Sequence, residues 1–225
     1  MTENPIIEPE SIAAHKPMPA EGERGGAIAD FDPELDPDRM ESPARWESIF
    51  GLPGPLIVEI GPGKGRFLLA RAAASPTTPC LGIEYAAKYL RIMKERAIKK
   101  GLRNVRVVRT EASSFISRFF PDACVRELHI YFPDPWPKRR HRKRRLLGPS
   151  FIEQAHRVLV AGGELYFATD FMEYFRETVE LLKARFRIEE VAGPWPDSPA
   201  GRTNYEIKYM AEGRTIGRAI ARKEP

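Results

Sequence analysis

From residue 55 onward, short apolar runs of strand length alternate with longer segments of helical periodicity, and this alternation is the feature that most constrains the fold. Strands that alternate with helices are typical of a parallel sheet with helices packed on both faces. The sequence therefore predicts an α/β protein with a doubly wound, mostly parallel, seven-stranded sheet. In such sheets, ligands bind beyond the carboxyl ends of the strands, near the point where the strand order reverses.

Apolar spacing and turn residues give the boundaries of these elements. The predicted strands are 56–60, 80–84, 104–108, 127–132, 164–169, 186–191 and 204–210. The predicted helices are 66–74, 86–100, 112–119, 149–160 and 171–185. The spacing of Trp46, Ile49 and Phe50 predicts a short amphipathic turn that packs on the domain.

The first 45 residues lack this alternation. They contain seven prolines and three glycines, their apolar residues are sparse, and their acidic residues outnumber their basic ones. Such a composition buries too little apolar surface to offset the entropy of ordering the chain. We therefore expect a flexible acidic, proline-rich tail over residues 1–45 and one folded domain over residues 46–225.

Composition excludes several classes of protein. No apolar stretch approaches the roughly 18 to 20 residues needed to cross a bilayer, and the N-terminus has no pattern of a secretory signal. The two cysteines, Cys80 and Cys124, are too few for a disulfide scaffold or a cysteine-ligated zinc site. We expect a cytoplasmic protein without membrane or metal partners, and the sequence leaves monomer and homodimer open.

Residues 138–145 contain seven Lys or Arg in eight positions. The chain has 36 basic and 31 acidic residues, so without these seven its net charge would be negative. Charges of one sign packed this densely repel one another, which costs free energy unless a partner neutralises them. A solvated loop is the alternative interpretation. We expect the run to contact a polyanion, and nucleic acid in particular.

The first predicted strand leads through Glu59 into the glycine loop 61–65. Gly61 and Gly63 allow the backbone to turn tightly and to approach a ligand closely. A dinucleotide-binding loop would have glycine where Arg66 stands. The Glu59 carboxylate would also repel a pyrophosphate. These residues favour a cofactor that has positive charge and no phosphate, such as S-adenosylmethionine.

Two more carboxylates follow the next two predicted strands. Glu84 ends the second strand, where its two oxygens can accept from both hydroxyls of a ribose. Glu111 follows the third strand, where it can face the amino group of adenine. Because the carboxyl ends of parallel strands share one edge of the sheet, these acids and Glu59 predict a single cofactor site. Ordinary strand-end carboxylates are the alternative interpretation.

The fourth predicted strand is followed by Phe-Pro-Asp-Pro-Trp-Pro-Lys at residues 132–138, which leads directly into the basic run. This loop resembles the Asp-Pro-Pro-Tyr type of loop in methyltransferases that act on base nitrogens. Prolines hold the loop rigid, the aromatic residue can stack on a flat ring, and the acid can meet polar edges. A proline-rich turn with a core tryptophan is the alternative.

Five segments in chain order together resemble the bacterial tRNA (guanine-N7-)-methyltransferase family. They are VEIGPGKG at 58–65, IE at 83–84, FPDPWPKRRHRKRR at 132–145, ATD at 168–170 and TNYE at 203–206, within a resemblance over about 46–220. The resemblance implies a Rossmann-like class I methyltransferase fold. It also implies that the protein transfers a methyl group from S-adenosylmethionine to N7 of a guanosine in the tRNA variable loop, at position 46 in tRNA numbering.

The same resemblance implies roles for individual residues. Asp134 is the expected catalytic residue, and the expected cofactor contacts are Glu59, Gly61, Gly63, Glu84, Glu111 and Asp134. The expected substrate contacts are Lys138, Asp170, Thr203, Asn204, Tyr205 and Glu206. The expected RNA contacts come from the charge of the basic run itself, and they are Arg139, Arg140, His141, Arg142, Lys143 and Arg144. Two features depart from the family: Glu111 replaces the usual Asp or Asn, and the tail 1–45 is acidic where many relatives have a basic segment.

Guanine has two adjacent donors on its Watson–Crick edge, N1–H and the 2-amino group, and one carboxylate can accept from both. Asp170 and Glu206 are therefore the candidates for guanine selection. The alternatives are a helix N-cap for Asp170 and a solvated strand residue for Glu206. His129, within a predicted strand, is interpreted as a core histidine.

Three other functions remain open from the residues alone. A dehydrogenase on a similar sheet is disfavoured by Glu59 and Arg66. A simple RNA-binding module explains the basic run but leaves the acidic strand ends without a role. A methyltransferase for a different substrate is the nearest alternative.

Overall fold

One sheet of eight strands organises the described part of the chain, which comprises residues 31–193, 195 and 203–225 of this computed structural model. The strands are β1 Glu34–Leu35, β2 Leu56–Ile60, β3 Cys80–Glu84, β4 Val105–Arg109, β5 Val125–Tyr131, β6 Leu159–Thr169, β7 Arg187–Glu190 and β8 Gly217–Arg222. The helices are α1 Trp46–Phe50, α2 Arg66–Ala74, α3 Ala87–Lys99, α4 Ala112–Phe119, α5 Pro149–Val158, α6 Met172–Leu182 and α7 Asn204–Ala211. Two 3-10 helices span Pro37–Arg39 and Arg139–Arg144.

The strand order is β1-β4-β3-β2-β5-β6-β8-β7. Neighbouring strands pair in parallel except β8, which is antiparallel to β6 and to β7. The chain runs outward from β2 through β3 to β4, and then returns to place β5 beside β2. The carboxyl ends of β2 and β5 therefore flank the reversal of strand order, where ligands bind in sheets of this kind.

Helices cover both faces of the sheet. Successive residues of a strand point to opposite sides, so a strand that is apolar throughout needs helices on both faces to bury it. Leu56 and Val58 of β2 pack in one apolar cluster with side chains of α1, α4, α5 and α6. Ile57, which lies between them, packs in a second cluster with α2 and α3. The prediction of a mostly parallel, doubly covered α/β sheet is thus confirmed, with eight strands where seven were expected.

Most element boundaries agree closely with the sequence pattern. α2, β3 and α4 begin and end at the predicted residues. The predicted amphipathic turn is α1, in which Trp46 and Phe50 are buried and the Trp46 ring lies 4.9 Å from that of Phe120. β6 starts at Leu159, five residues before the predicted 164, because Leu159 already pairs with Val125 of β5, ahead of a shift in register and of Gly162 with its φ of +73°.

The predicted strand over 204–210 is wrong, because this segment is the helix α7. The alternation of Tyr205 and Ile207 imitates a strand, but both side chains are exposed. The Thr203 hydroxyl accepts from the backbone N–H of Glu206 at 3.1 Å and caps the helix. The last strand is β8 instead, whose side chains are almost all buried between β6 and β7.

Residues 31–45 pack on the sheet, whereas the sequence places them in the tail. β1 adds a parallel edge strand to β4, with Glu34 opposite Val107. Lys94 of α3 binds Asp32 at 2.7 Å and Glu34 at 2.9 Å. Ala44 is buried, and its backbone N–H donates to the Phe119 carbonyl. Residues 1–30 of the expected tail lie outside the described residues, so its flexibility there stays a prediction.

Cys80 is buried in β3, Cys124 is half-buried, and both are free thiols. No helix within the described ranges has the length and apolar character to cross a bilayer. Across these same ranges, no group of three or more His, Cys, Asp or Glu side chains is placed to hold a metal ion.

Candidate active site

Two pockets lie at the carboxyl edge of the sheet, and Gly61 lines both. The larger pocket, of about 590 Å³, is lined by Glu59, the glycine loop, Tyr131 and residues of α7. The smaller pocket, of about 250 Å³, is lined by Glu84, Glu111 and Asp134. The carboxylates expected to form one cofactor site therefore lie around two cavities that meet at the glycine loop.

The glycine loop leaves its inner side free of side chains. Gly61 and Gly63 have φ values of +69° and +55°, a backbone region that favours glycine. A Cβ atom at either position would meet nothing within 4 Å, so the space beside the loop is available to a ligand. Gly65 serves packing instead, because its Cβ would lie 2.5 Å from Cγ of Met93. These glycines allow close approach on one side of the loop and helix packing on the other.

Glu84 is fixed by backbone amides at the end of β3. Its Oε2 accepts from the N–H of Gly63 at 2.9 Å, and its Oε1 accepts from the N–H of Ala86 at 2.8 Å. The carboxylate thereby holds the glycine loop in place. Each oxygen keeps a second lone pair, which can accept from a hydroxyl group of a ligand in the smaller pocket.

Glu59 is buried at the end of β2, and its Oε2 accepts from the N–H of Leu68 at 3.1 Å. Burial raises the pKa of Glu59 to about 8; the Leu68 hydrogen bond opposes this, and the negative charge of Glu84 adds to it. Among the described residues, Glu59 has no cationic partner. A buried carboxylate beside an open pocket is suited to receive the positive charge of a ligand.

Glu111 caps α4 while it lines the smaller pocket. Its two oxygens accept from the N–H groups of Ser113 and Ser114, each at 2.8 Å. Burial favours a higher pKa, but these hydrogen bonds outweigh it and lower the pKa of Glu111. The carboxylate is therefore ionised and committed to the helix terminus, which leaves only its remaining lone pairs for the expected contact with adenine.

The loop that contains Asp134 is held at both ends. Phe132 and Trp136 have φ values of +51° and +42°, which cost free energy in residues other than glycine. The N–H of Phe132 donates to the Ala168 carbonyl at 2.7 Å, and Arg145 donates to the Pro135 carbonyl at 2.8 Å. This bracing holds the exposed carboxylate of Asp134 at the mouth of the smaller pocket.

The basic run forms a 3-10 helix that is attached to α6. Arg142 forms ion pairs with Glu173 and Glu177, and Arg145 pairs with Glu177. The guanidinium of Arg144 lies over the Trp136 ring, 5.0 Å from its centroid. Arg142 is thus engaged within the protein. The exposed members of the run are Lys138, Arg139, Arg140, Lys143 and Arg144.

The candidates for guanine selection both form ion pairs. Asp170 binds Arg214 at 2.7 Å, and it is not the N-cap of α6, since that residue is Phe171. Glu206 is only 1% exposed and its Oε1 accepts from Nε and Nη2 of Arg218, at 2.9 and 2.7 Å. The alternative of a solvated strand residue therefore does not apply to Glu206, which is buried in a helix.

The structure distributes the expected substrate residues unevenly. Thr203, Asn204 and Tyr205 line the larger pocket together with Glu59. Lys138, Asp170 and Glu206 line neither of the two pockets. The grouping of Thr203 through Tyr205 with Glu59 depends on α7, whose helical form the sequence pattern obscured.

Several pocket residues were missed by the sequence reasoning. Tyr131 lines the larger pocket, and Tyr85, which is 76% exposed, lines the smaller one. The larger pocket is also lined by Arg96 of α3 and by Lys100, which caps the C-terminus of that helix. The signal for Tyr131 is the period-two row Glu-His-Tyr within β5, which places three polar side chains on one face of a buried strand. His129, at the centre of that row, is buried as predicted.

Comparisons with known proteins agree with this geometry. Residues 53–220 match the family model described as a putative methyltransferase. A tRNA (guanine-N(7)-)-methyltransferase of Geobacter metallireducens is 38% identical over 186 residues, which cover 81% of this chain and 88% of that protein. A protein of the same name from Geobacillus kaustophilus is 34% identical over 202 residues, which cover 88% of this chain and 93% of that protein.

Solved structures show the same fold at low sequence identity. A 30S ribosomal A1408 methyltransferase from an uncultured bacterium has a TM-score of 0.56 at 16% identity, over 78% of this chain and 91% of that one. A tRNA (m1A58) methyltransferase from Aquifex aeolicus has a TM-score of 0.52 at 15% identity, over 78% of this chain and 65% of that one. The fold is therefore the Rossmann-like fold of class I methyltransferases, which use S-adenosylmethionine. By its family model and by these relatives, the chain belongs to the tRNA (guanine-N7-)-methyltransferase family.

Proposed function

We propose that this protein methylates N7 of a guanosine in the variable loop of tRNA, with S-adenosylmethionine as the methyl donor. The observation that carries the proposal is the meeting of Glu59, Glu84 and Asp134 at the reversal of strand order, directly before a basic 3-10 helix. Acidic groups suit a cationic donor, and the adjoining basic helix suits RNA. The names and substrates of the relatives support the choice of tRNA.

The residues of the two pockets fit the donor by their chemistry. Glu59 would bind its ammonium group, Glu84 would bind its ribose hydroxyls, and Gly61 with Gly63 would leave room for it. When bound, S-adenosylmethionine supplies an electrophilic methyl group on a sulfonium that departs as a neutral thioether. The absence of side chains on the inner side of the glycine loop is the structural feature that permits this fit.

Guanine N7 has a free lone pair and no proton, so the transfer requires no general base. Catalysis then rests on positioning and on electrostatic stabilisation. Asp134 lies on a loop that is braced at both ends, and it would orient the purine and stabilise the positive charge that develops on it. We expect Asp134→Asn to slow single-turnover methyl transfer by about 100-fold, as for loss of one preorganised electrostatic group. Survival of the rate within a few-fold would contradict this role.

Guanine selection would use a carboxylate with an oxygen that remains available. Asp170 pairs with Arg214 through Oδ2 and is partly exposed, whereas Glu206 is buried against Arg218. We therefore place Asp170 first and Glu206 second. Asp170→Asn should weaken the binding of guanosine nucleotides, because its amide would present a donor to the guanine donors. Unchanged binding would assign Asp170 to its ion pair alone.

A methyl-transfer assay on unmodified tRNA, with mapping of the modified nucleotide, tests the whole proposal. The expected product is 7-methylguanosine in the variable loop. A second tRNA, with adenosine in place of that guanosine, is the matched control and should accept no methyl group. Methylation of the control at a similar rate, or of a different position in both tRNAs, would overturn the proposal.

A further inference from the structure

A row of polar side chains leads along β5 to the larger pocket. Glu127, His129 and Tyr131 share one face of the strand, because residues two apart point to the same side. His129 Nε2 lies 3.1 Å from Glu127 Oε2, and His129 Nδ1 lies 2.8 Å from the Tyr131 hydroxyl oxygen. Arg71 of α2 continues the row, and its Nη2 donates to Glu127 Oε1 at 2.6 Å. Tyr131, at the other end, lines the pocket with Glu59.

The imidazole at the centre of this row has little freedom to rotate. Tyr166 stacks on the His129 ring with centroids 4.6 Å apart and planes 18° from parallel. Phe67 lies on the His129 ring as well, with centroids also 4.6 Å apart. His129 is 3% exposed, so water does not compete for its nitrogens. The hydrogens of the row are therefore arranged by its own members.

The charges of the row determine where those hydrogens lie. Glu127 is ionised: burial alone would raise its pKa, but hydrogen bonds from His129 and Arg71 lower it to about 2. Burial lowers the pKa of His129, so the imidazole is neutral at pH 7. The single ring hydrogen of a neutral imidazole must face the carboxylate, because an unprotonated Nε2 would repel it. His129 Nδ1 is then the acceptor, and the Tyr131 hydroxyl donates its only hydrogen to it.

We propose that the Arg71–Glu127–His129 row makes the Tyr131 hydroxyl a hydrogen-bond acceptor toward the larger pocket, where its oxygen receives a positively charged part of the methyl donor. Tyr131 is the contacting residue, and Glu127 and His129 are positioning residues that set its polarity. The Glu206 carboxylate also acts on the Tyr131 phenol, and so does the Glu59 carboxylate once a bound cation favours its ionised form, so the oxygen lies in a region that favours cations. The proposal rests on the proposed use of S-adenosylmethionine and is independent of the RNA substrate.

Two parts of the donor have the required charge, the ammonium group and the sulfonium with its methyl group. Calorimetric titration with S-adenosylmethionine and with S-adenosylhomocysteine distinguishes them, because only the first has the sulfonium. We expect Tyr131→Phe to weaken S-adenosylmethionine binding about tenfold, as for one hydrogen bond to a charged group. An equal loss for both ligands assigns the contact to the ammonium group, and a loss confined to S-adenosylmethionine assigns it to the sulfonium.

Glu127→Gln tests the row without changing its shape. The new amide can accept from Arg71 and donate to His129 Nε2, which moves the ring hydrogen to Nδ1 and turns the Tyr131 hydroxyl hydrogen toward the pocket. We expect weaker binding of S-adenosylmethionine and an exchange of the protonated ring nitrogen. Nuclear magnetic resonance of nitrogen-15-labelled histidine reports that exchange, with the His129 signals assigned from their absence in His129→Asn.

Tyr166→Phe is the matched control, because Tyr166 stacks on the same ring but donates its hydroxyl hydrogen to Glu164. It should change neither the His129 tautomer nor the binding of the donor. A wild-type His129 protonated at Nδ1 would overturn the proposal, as would unchanged donor binding in Tyr131→Phe. If Glu127→Gln does not fold, the wild-type His129 tautomer and donor binding by Tyr131→Phe still test the proposal. None of them uses RNA, so failure to methylate tRNA would be a separate result.

Discussion

Glu59 is the side chain whose charge the fold controls most directly. Its burial raises its pKa to about 8, so in the free protein at pH 7 it holds a proton. A cation in the larger pocket favours the ionised form, because the two opposite charges attract each other. Ligand binding and proton release at Glu59 are therefore coupled.

This coupling predicts the protons exchanged on binding. At pH 7, S-adenosylmethionine binding should release close to one proton from wild-type protein and markedly fewer from Glu59→Gln. Calorimetry in buffers of different ionisation enthalpy measures the number. Equal proton release by both proteins would show that Glu59 does not receive the donor's charge.

The same raised pKa predicts how stability changes with pH. Between pH 4.5 and 8 the folded protein keeps the Glu59 proton and the unfolded chain releases it. Stability therefore falls as pH rises through this window, by up to about 1.4 kcal/mol per pH unit. Glu59→Gln removes this dependence. Denaturant unfolding without cofactor measures the free energy of unfolding of both proteins at pH 5 and pH 8. The stability of Glu59→Gln relative to wild type should be higher at pH 8 than at pH 5. The same difference in stability at both pH values would contradict the raised pKa.

At the scale of elements, we assign two roles to the 3-10 helix Arg139–Arg144. The amino-acid composition of this helix does not show which of its residues serves which role. Arg142 faces α6 and pairs with Glu173 and Glu177, whereas Lys143 is exposed. Partly exposed ion pairs contribute little individually, but here one guanidinium meets two carboxylates and fixes the helix beside the Asp134 loop. The first role is the structural attachment that these ion pairs provide, and the second is the proposed contact with RNA phosphates.

Substitution of these two neighbours should separate the roles. Arg142→Gln should lower the melting temperature by about 3 °C, which corresponds to about 1 kcal/mol. Lys143→Gln should leave the melting temperature unchanged and reduce the slope of log affinity for tRNA against log salt by about 0.7 to 0.9. Thermal unfolding and filter binding across salt concentrations give both numbers. Equal changes in melting temperature and in salt slope for both variants would contradict this separation of a structural role from a phosphate-binding role.

At the scale of the whole molecule, the segment 31–45 extends the sheet beyond β4. Its apolar residues Leu35, Met40 and Ala44 pack on the core, and Asp32 and Glu34 bind Lys94. The acidic composition that suggests a tail thus serves in part to neutralise a basic helix.

This packing predicts the effect of shortening the chain. A protein that begins at residue 46 should melt about 5 °C lower than one that begins at residue 31, since it loses roughly 2 kcal/mol of apolar burial. The protein that begins at residue 31 is the matched control. Equal melting temperatures would show that residues 31–45 contribute nothing to the stability of the sheet.

Sequence reasoning was most successful where local pattern and tertiary environment agree. The strand β3 and the helix α4 were predicted correctly because the continuous apolar run of β3 and the single apolar face of α4 are both set by residues that are close in sequence. It failed at α7, where the exposed Tyr205 and Ile207 imitate the alternation of a strand. The hydrogen bond of the Thr203 cap favours the helix instead. Sequence reasoning also failed at β1, a strand of two residues that exists only because β4 offers an unpaired edge.

The sequence by itself determined the α/β class, the chemistry at the strand ends and the family, because strand-to-helix alternation and short motifs are local properties. Only the tertiary structure decided which charges are free and which are paired. Arg142 and Lys143 are indistinguishable in the basic run, yet α6 supplies carboxylates to one of them alone. Likewise, the Glu59 pKa and the direction of the Tyr131 hydroxyl depend on burial and on partners distant in sequence, which no local pattern encodes.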